Sequence, residues 1–347
     1  MHSSKPYLIA EIGVNYYDSA KELGITPFEA AKLYVKSVKD SGADCAKFQS
    51  YKAETIVSKN SPAYWDTKKE PTKTQFELFK KFDSFGEKEY EELSKYAHSI
   101  GLDFTSTPFD YDSADYLEKL VDFYKISSSD LSNLPFIKHI ARKKKPIVIS
   151  VGASTIDEIK KAIDVIKNEG VNDITILHCV LSYPTLNQNA NLRIIKTLKE
   201  VFPDVRIGYS DHVMPDKTMT VLSTAYLLGA EVIEKHFTLN KKLVGNDHYH
   251  AGDINDFKMA VSNFELINTI LGSSKKEVLE CEKISRREAR RSLFLTRNMK
   301  KGEIITEKDI IAKRPGYGIS PEFTDKVIGK KLNQDVKEDS ALLWDYI

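Results

Sequence analysis

Two stretches of the chain end short apolar runs in histidines and acids. One is Ile207-Gly208-Tyr209-Ser210-Asp211-His212. The other is Val232-Ile233-Glu234-Lys235-His236-Phe237-Thr238, followed by the polar loop Gly245-Asn246-Asp247-His248-Tyr249-His250. Between them, Pro215 to Gly229 spaces its apolar residues as a helix does and stops at a glycine, so the unit reads β-α-β. Strand C-termini of parallel barrels and doubly wound sheets open onto the active-site face, which places His212 and His236 side by side there. Two neutral imidazoles converging on one point, with Glu234 and Asp247 nearby, suit a divalent cation. A lone strand-end histidine is more often a hydrogen-bonded structural residue, but two on successive strands, each beside an acid, favour the metal. His248 and His250 form a rival pair, ranked lower because a polar loop carries them.

Such groups need strands to position them. The chain offers eight: Tyr7–Glu11, Cys45–Gln49, Asp103–Thr107, Phe123–Ser127, Pro146–Val151, Thr175–Cys179, Arg206–Ser210 and Val232–Phe237. Helical segments separate them, with apolar residues three and four apart, as in Ile156, Ile159, Ile163 and Ile166. Eight β-α units in roughly 270 residues predict a (β/α)8 TIM barrel; a doubly wound sheet rarely runs eight successive parallel strands. A weak internal echo, Ser41-Gly42-Ala43-Asp44 and Leu228-Gly229-Ala230-Glu231, precedes two strands that each carry a lysine near the end, Lys47 and Lys235. The aromatic-rich excursion from Tyr51 to Gly86 is expected to be a lid or substrate wall, or a tolerated surface insertion. Residues 1–272 read as the barrel. Residues 273–291, dense in Lys, Glu and Arg, read as a linker, and 292–347 as a small β-rich domain.

The 347 residues are 41% hydrophobic and 29% charged, enough for one large domain and a small one. Lys+Arg 51 against Asp+Glu 50 leaves a formal charge of +1, which argues against nucleic acid as a partner. No apolar run approaches the roughly 20 residues of a membrane span. The N-terminus leads into a strand without a signal peptide's apolar region. Cys45, Cys179 and Cys281 lack metal spacing and are expected to be reduced thiols of a cytoplasmic protein.

Aligned by position, the strand ends present Glu11, Asn15, Lys47, Gln49, Thr107, Lys125, Ser128, Asp130, Ser150, Tyr183, Ser210, Asp211, His212, Lys235 and His236. Lysines supply charge and hydroxyls supply oriented donors, so this face suits phosphate or carboxylate. Any one Ser or Thr there is more often a helix N-cap. A partly buried lysine is harder to dismiss, because it needs a partner. The residues alone therefore describe a barrel enzyme for an anionic, phosphorylated small molecule, working with a metal.

Ala10-Glu11-Ile12-Gly13-Val14-Asn15, Lys47-Phe48-Gln49, Ser106-Thr107-Pro108-Phe109, Tyr183-Pro184-Thr185, Gly208-Tyr209-Ser210-Asp211-His212, Glu234-Lys235-His236-Phe237-Thr238 and Asp247-His248 resemble the sialic acid synthase family. Arg290-Arg291-Ser292-Leu293, Lys301-Gly302-Glu303 and Arg314-Pro315-Gly316 are similar to the antifreeze-like SAF domain, a β-clip, that ends those enzymes. The resemblance covers nearly the whole chain. It implies condensation of phosphoenolpyruvate with an N-acetylated mannosamine-type sugar to a nine-carbon 2-keto acid and phosphate. It implies a divalent cofactor, Mn2+ with Mg2+ or Co2+ as alternatives, held by His212 and His236. It also implies a domain-swapped homodimer in which Arg314 reaches the partner's sugar site.

By the same resemblance, Lys47, Thr107, Lys125, Ser128, Ser150 and Ser210 hold phosphoenolpyruvate, and Glu11, Gln49, Tyr183, Asp247 and Arg314 face the sugar. Glu11, Lys125 and Asp130 are the catalytic groups, Asp130 standing where the family has a glutamate one methylene longer. The family's Asn-His reads Asn15-Tyr16 here, and Leu181 replaces a polar residue; both changes are expected to make the substrate pocket less polar. That suits a deoxy sugar with a methyl group, hence N,N'-diacetyllegionaminic acid synthesis, with N-acetylneuraminate or pseudaminic acid synthesis as alternatives. Two other classes compete: an aldolase forming a Schiff base on Lys125 or Lys47, and a non-catalytic carbohydrate-binding protein.

Overall fold

The computed structural model describes residues 5–65, 67, 70–245 and 247–347. Eight parallel strands run in chain order: β1 Tyr7–Gly13, β2 Cys45–Ser50, β3 Asp103–Pro108, β4 Tyr124–Ile126, β5 Ile147–Ser150, β6 Ile174–His178, β7 Arg206–Asp211 and β8 Val232–His236. Their order in the sheet is β3-β2-β1-β8-β7-β6-β5-β4, so β1 pairs with β8 and sequence neighbours pair elsewhere. The ends meet where the Asp122 amide donates to Phe104 O (3.0 Å) and Thr105 Oγ1 donates to Phe123 O (2.6 Å). This is the barrel the strand arithmetic predicts. Strands such as β6 and β8 are buried along their whole length, as parallel strands covered on both faces must be.

Local chemistry fixes the elements between strands. Thr26 and Glu29 form a capping box that opens helix Pro27–Ser41, which closes at Gly42 with φ +82°. Thr155 and Glu158 do the same for helix Ile156–Asn168, whose Ile159, Ala162, Ile163 and Ile166 are buried. A Cβ at Gly208 would collide with the Val232 carbonyl oxygen, so only glycine lets β7 and β8 lie this close. Strand β4 is shorter than the apolar run suggests: Ser127 already caps the next turn, its side chain accepting from Ser129 N. The excursion after β2 forms helices Ala53–Ile56 and Gln75–Lys81; residues 66, 68 and 69 lie outside the described residues.

The chain divides into two compact units, Met1–Gly272 and Ser273–Ile347. In the second unit an exposed helix, Lys283–Ala289, precedes an antiparallel pair, β9 Ser292–Leu295 and β10 Ile310–Lys313. Leu293, Leu295, Met299, Ile305, Ile319, Val327 and Leu342 make its core. Among the described residues, no helix is long and apolar enough to cross a membrane.

Candidate active site

Register brings the chemistry together. Glu11 on β1 pairs with Lys47 on β2 and with His236 on β8, while Ser210 on β7 pairs with Glu234. These residues stand at one level, at the C-terminal mouth of the barrel, around a cavity of about 520 Å³. Glu11, Lys47, Gln49, Thr107, Lys125, Ser128, Asp130, Ser150, Tyr183, Ser210, His212, His236 and Asp247 all line it. Arg314 belongs to the second unit, where it is exposed.

One side of the cavity floor is a buried charge network. Lys47 Nζ lies 2.5 Å from Glu11 Oε2 and 3.8 Å from Glu234 Oε2, and donates to Thr107 Oγ1 (3.1 Å). Lys125 Nζ is 3.4 Å from Glu234 Oε1, which also accepts from Ser210 Oγ (3.0 Å). Gln49 Nε2 donates to Glu11 Oε1 (2.8 Å). The two lysines differ. Burial pulls the Lys47 ammonium down, but Glu11 and Glu234 outweigh it and leave its pKa raised. Burial prevails at Lys125, whose pKa is lowered despite Glu234. The carboxylates divide likewise: burial raises Glu11, whereas Lys125 and Lys47 overcome the burial of Glu234 and hold it low. Ser150 Oγ is buried with no hydrogen-bond partner among the described residues, a donor awaiting an acceptor. Ser128 Oγ instead accepts from Gly152 N (2.9 Å) and touches Cys179 Sγ (3.0 Å).

The other side is imidazole. The His212 and His236 rings lie 5.4 Å apart, centroid to centroid, and Tyr183 packs 4.4 Å from His212. His212 donates Nδ1–H to Val180 O (3.1 Å), so the neutral ring carries its lone pair on Nε2. Burial pushes the His212 pKa down to about 4 and the His236 pKa well below the ordinary histidine value. His236 Nδ1 is buried without a hydrogen-bond partner among the described residues, with Asp247 Oδ2 at 3.8 Å. Neutral rings, an unsatisfied lone pair and an acid whose pKa burial raises to about 6 form a donor set that fits a divalent cation. His250 joins this group: one ligand atom from each of His236, Asp247 and His250 lies within 4.8 Å of the others.

Three sequence expectations need correction. Lys235 and Asp211 do not face the cavity: Lys235 Nζ is fully buried against Asp211 Oδ2 (2.5 Å) and Val213 O (2.8 Å). Side chains alternate along a strand, so with Glu234 and His236 pointing in, Lys235 points out. Tyr16 does not line the pocket either; it is buried among Tyr17, Phe48 and Phe85, while Leu181 does reach the cavity. The rival histidines separate. His248 is held by Thr238 Oγ1 (2.8 Å) and stands 3.3 Å from Asp18, away from His236. The excursion after β2 supplies a wall, one of the two readings its sequence allowed: Tyr51, Ile56, Tyr64, Leu78, Phe79 and Phe82 line the cavity. Their aromatic density was the signal.

Comparison with known proteins agrees with the geometry. The NeuB family model matches residues 34–276, and the SAF domain model matches residues 290–347. The chain is 41% identical over 343 residues to an uncharacterized protein of Methanocaldococcus jannaschii, covering 98% of this chain and 94% of that one. It is 36% identical over 348 residues to the N,N'-diacetyllegionaminic acid synthase of Legionella pneumophila, covering 98% and 94%. Among solved structures, it is similar to the N-acetylneuraminic acid synthetase of Leptospira borgpetersenii in complex with citrate. There the TM-score is 0.68 at 29% identity, over 81% of this chain and 90% of that one. Barrel, cavity and sequence converge: the chain belongs to the NeuB family of sialic-acid-type synthases and ends in a SAF domain.

Proposed function

We propose that the chain condenses phosphoenolpyruvate with an N-acetylated mannosamine-type sugar, and that its product is N,N'-diacetyllegionaminic acid. The observation that carries this reading is one cavity with two buried lysines on one side and an imidazole cluster on the other. An enol phosphate with its carboxylate needs the first; an aldehyde that must be polarised needs the second. Leu181 and the aromatic wall support a deoxy sugar, as does the similarity to the Legionella enzyme. Barrel 1–272, linker 273–291 and SAF domain 292–347 are the proposed functional divisions, in a cytoplasmic homodimer.

In this mechanism Lys47, Lys125, Thr107, Ser128, Ser150 and Ser210 hold phosphoenolpyruvate, Ser150 satisfying its donor on an anionic oxygen. Glu11, Gln49, Tyr183 and Asp247 orient the sugar. His212 and His236 would hold a divalent cation, Mn2+ in this reading, which would supply Lewis-acid polarisation of the sugar carbonyl. C3 of the enol bonds to the aldehyde carbon, water adds at C2, and phosphate leaves with the electron pair of its C–O bond, giving the 2-keto acid. Asp130 exchanges the proton at the adding water.

A substrate panel scored by phosphate release tests the proposal. Release with 2,4-diacetamido-2,4,6-trideoxymannose, lost on EDTA treatment, is expected; a strong preference for N-acetylmannosamine would remove the legionaminic reading, and no release with any sugar would remove the reaction class. The lowered pKa of Lys125 favours one rival, the Schiff-base aldolase. Borohydride trapping in the presence of the keto acid should leave Lys125 unlabelled if the proposal holds.

Two variants probe the remaining assignments. Arg314→Ala is expected to raise the sugar KM far more than the phosphoenolpyruvate KM; equal effects would take Arg314 away from the sugar. Burial raises the Asp130 pKa from 3.8 to about 6. The folded chain therefore holds a proton that the unfolded chain has lost between those values, and stability falls as pH rises through that window. Asp130→Asn should flatten that part of the urea-midpoint profile and abolish the rate limb near pH 6. An unchanged rate limb would acquit Asp130.

A further inference from the structure

We infer that His250 is a further ligand of the divalent cation, making the site richer in nitrogen than a two-histidine site. This inference rests on the metal reading proposed above. The placement comes from the chain after β8 folding back on that strand. Gly252 N donates to His236 O (2.8 Å), Thr238 N donates to Gly252 O (3.0 Å), and Phe237 bridges to Gly252 in parallel. Residues 248 and 250 then present opposite sides. His248 turns to Thr238 and Asp18, while His250 turns to His236, with ring centroids 4.9 Å apart. His250 is fully buried behind the cavity wall that His236 and Asp247 form.

Each imidazole lies within reach of an ion shared with Asp247. Two donors each about 2.1 Å from a cation stand at most about 4.2 Å apart. Asp247 Oδ2 is 3.8 Å from His236 Nδ1, and Asp247 Oδ1 is 3.9 Å from His250 Nε2. Donors from the wall leave the cavity side open, where a substrate oxygen enters. Two imidazoles and one carboxylate, from His236, His250 and Asp247, thus surround one point, with the His212 ring 5.4 Å from that of His236 on the other flank. Imidazole nitrogen favours Co2+, Ni2+ or Zn2+, whereas oxygen-rich sites suit Mg2+ and Mn2+. The added imidazole therefore raises the affinity of this site for Co2+ or Zn2+ relative to Mn2+.

The test uses the full chain stripped with EDTA and titrated with Co2+ or Mn2+ alone, reading d–d absorption and bound metal per chain. The wild type is expected to bind one Co2+ more tightly than Mn2+. Outer-shell partners alone are worth about 10–100-fold in metal affinity, so His250→Ala should weaken Co2+ by about 100-fold, change the d–d bands and narrow the Co2+/Mn2+ ratio. His250→Cys, checked for folding by circular dichroism, should add a thiolate-to-cobalt charge-transfer band in the near ultraviolet. Unaltered Co2+ affinity and spectrum in His250→Ala, with binding lost in His236→Ala, would overturn the role of His250 and leave the metal site standing. No Co2+ binding by the wild type would overturn both. A folded His250→Cys protein that binds Co2+ without the new band would also overturn it.

Discussion

His236→Ala should stop phosphate release while leaving phosphoenolpyruvate bound. The His236 ring sits between His212 and His250, and Nδ1 is its buried, unsatisfied atom. Removing it takes away a proposed cation donor and leaves Lys47 and Lys125 in place for the proposed anion. Lewis-acid polarisation contributes several kcal/mol to such a barrier, and each 1.4 kcal/mol or so is tenfold in rate. The expected loss in kcat is therefore about a thousandfold or more, with a much smaller change in the phosphoenolpyruvate affinity. Steady-state phosphate release measures the first and direct binding of phosphoenolpyruvate the second. Activity within tenfold of the wild type, in a protein shown to be folded, would mean that these imidazoles do not serve the reaction.

The largest effect on stability is expected from Lys47→Met. Lys47 is the only cation within 4 Å of Glu11 among the described residues, and it also faces Glu234. Its removal leaves a carboxylate buried without its ammonium, and breaking a buried pair from one side typically costs about 3–5 kcal/mol. An exposed pair such as Lys95 and Glu91, at 2.6 Å, is screened by solvent and contributes little, so Lys95→Met is the control. The sign with pH follows from the network. The lowered Glu234 stabilises the wild type above the ordinary carboxylate range, and that contribution fades as pH falls and the carboxylate is protonated, whereas the contribution of the raised Lys47 fades only at alkaline pH. The deficit of Lys47→Met should thus shrink as pH falls toward 4, read from urea midpoints at constant slope. A variant as stable as the wild type at pH 7 would show that the network carries no such energy.

Much of this was legible in the chain itself. Apolar runs closed by turn residues gave all eight strands, because parallel strands are buried on both faces and leave continuous hydrophobic stretches. Their ends named most of the charged and hydroxyl-bearing side chains of the cavity floor. What failed was phase. Lys235 and His236 are neighbours, and only the inward turn of His236 determines that Lys235 faces outward; applying the two-residue alternation would have separated them. Tyr16 lay beyond reach for another reason. The turn after β1 rolls its ring into an aromatic cluster assembled from distant segments, Phe48 and Phe85. His250 depended on Gly252 pairing with the end of β8, a contact between loop and strand that no local periodicity records.

The back-to-back arrangement on β8 limits how this chain can drift. Lys235 is clamped to Asp211 on the outer wall while Glu234 and His236 serve the mouth. A one-residue insertion or deletion inside Val232–His236 would exchange the two faces, burying Glu234 and His236 in the jacket and thrusting Lys235 into the cavity. Length variation among kin should therefore be absent from this pentapeptide and collect in the turn beyond it, where neither face is at stake.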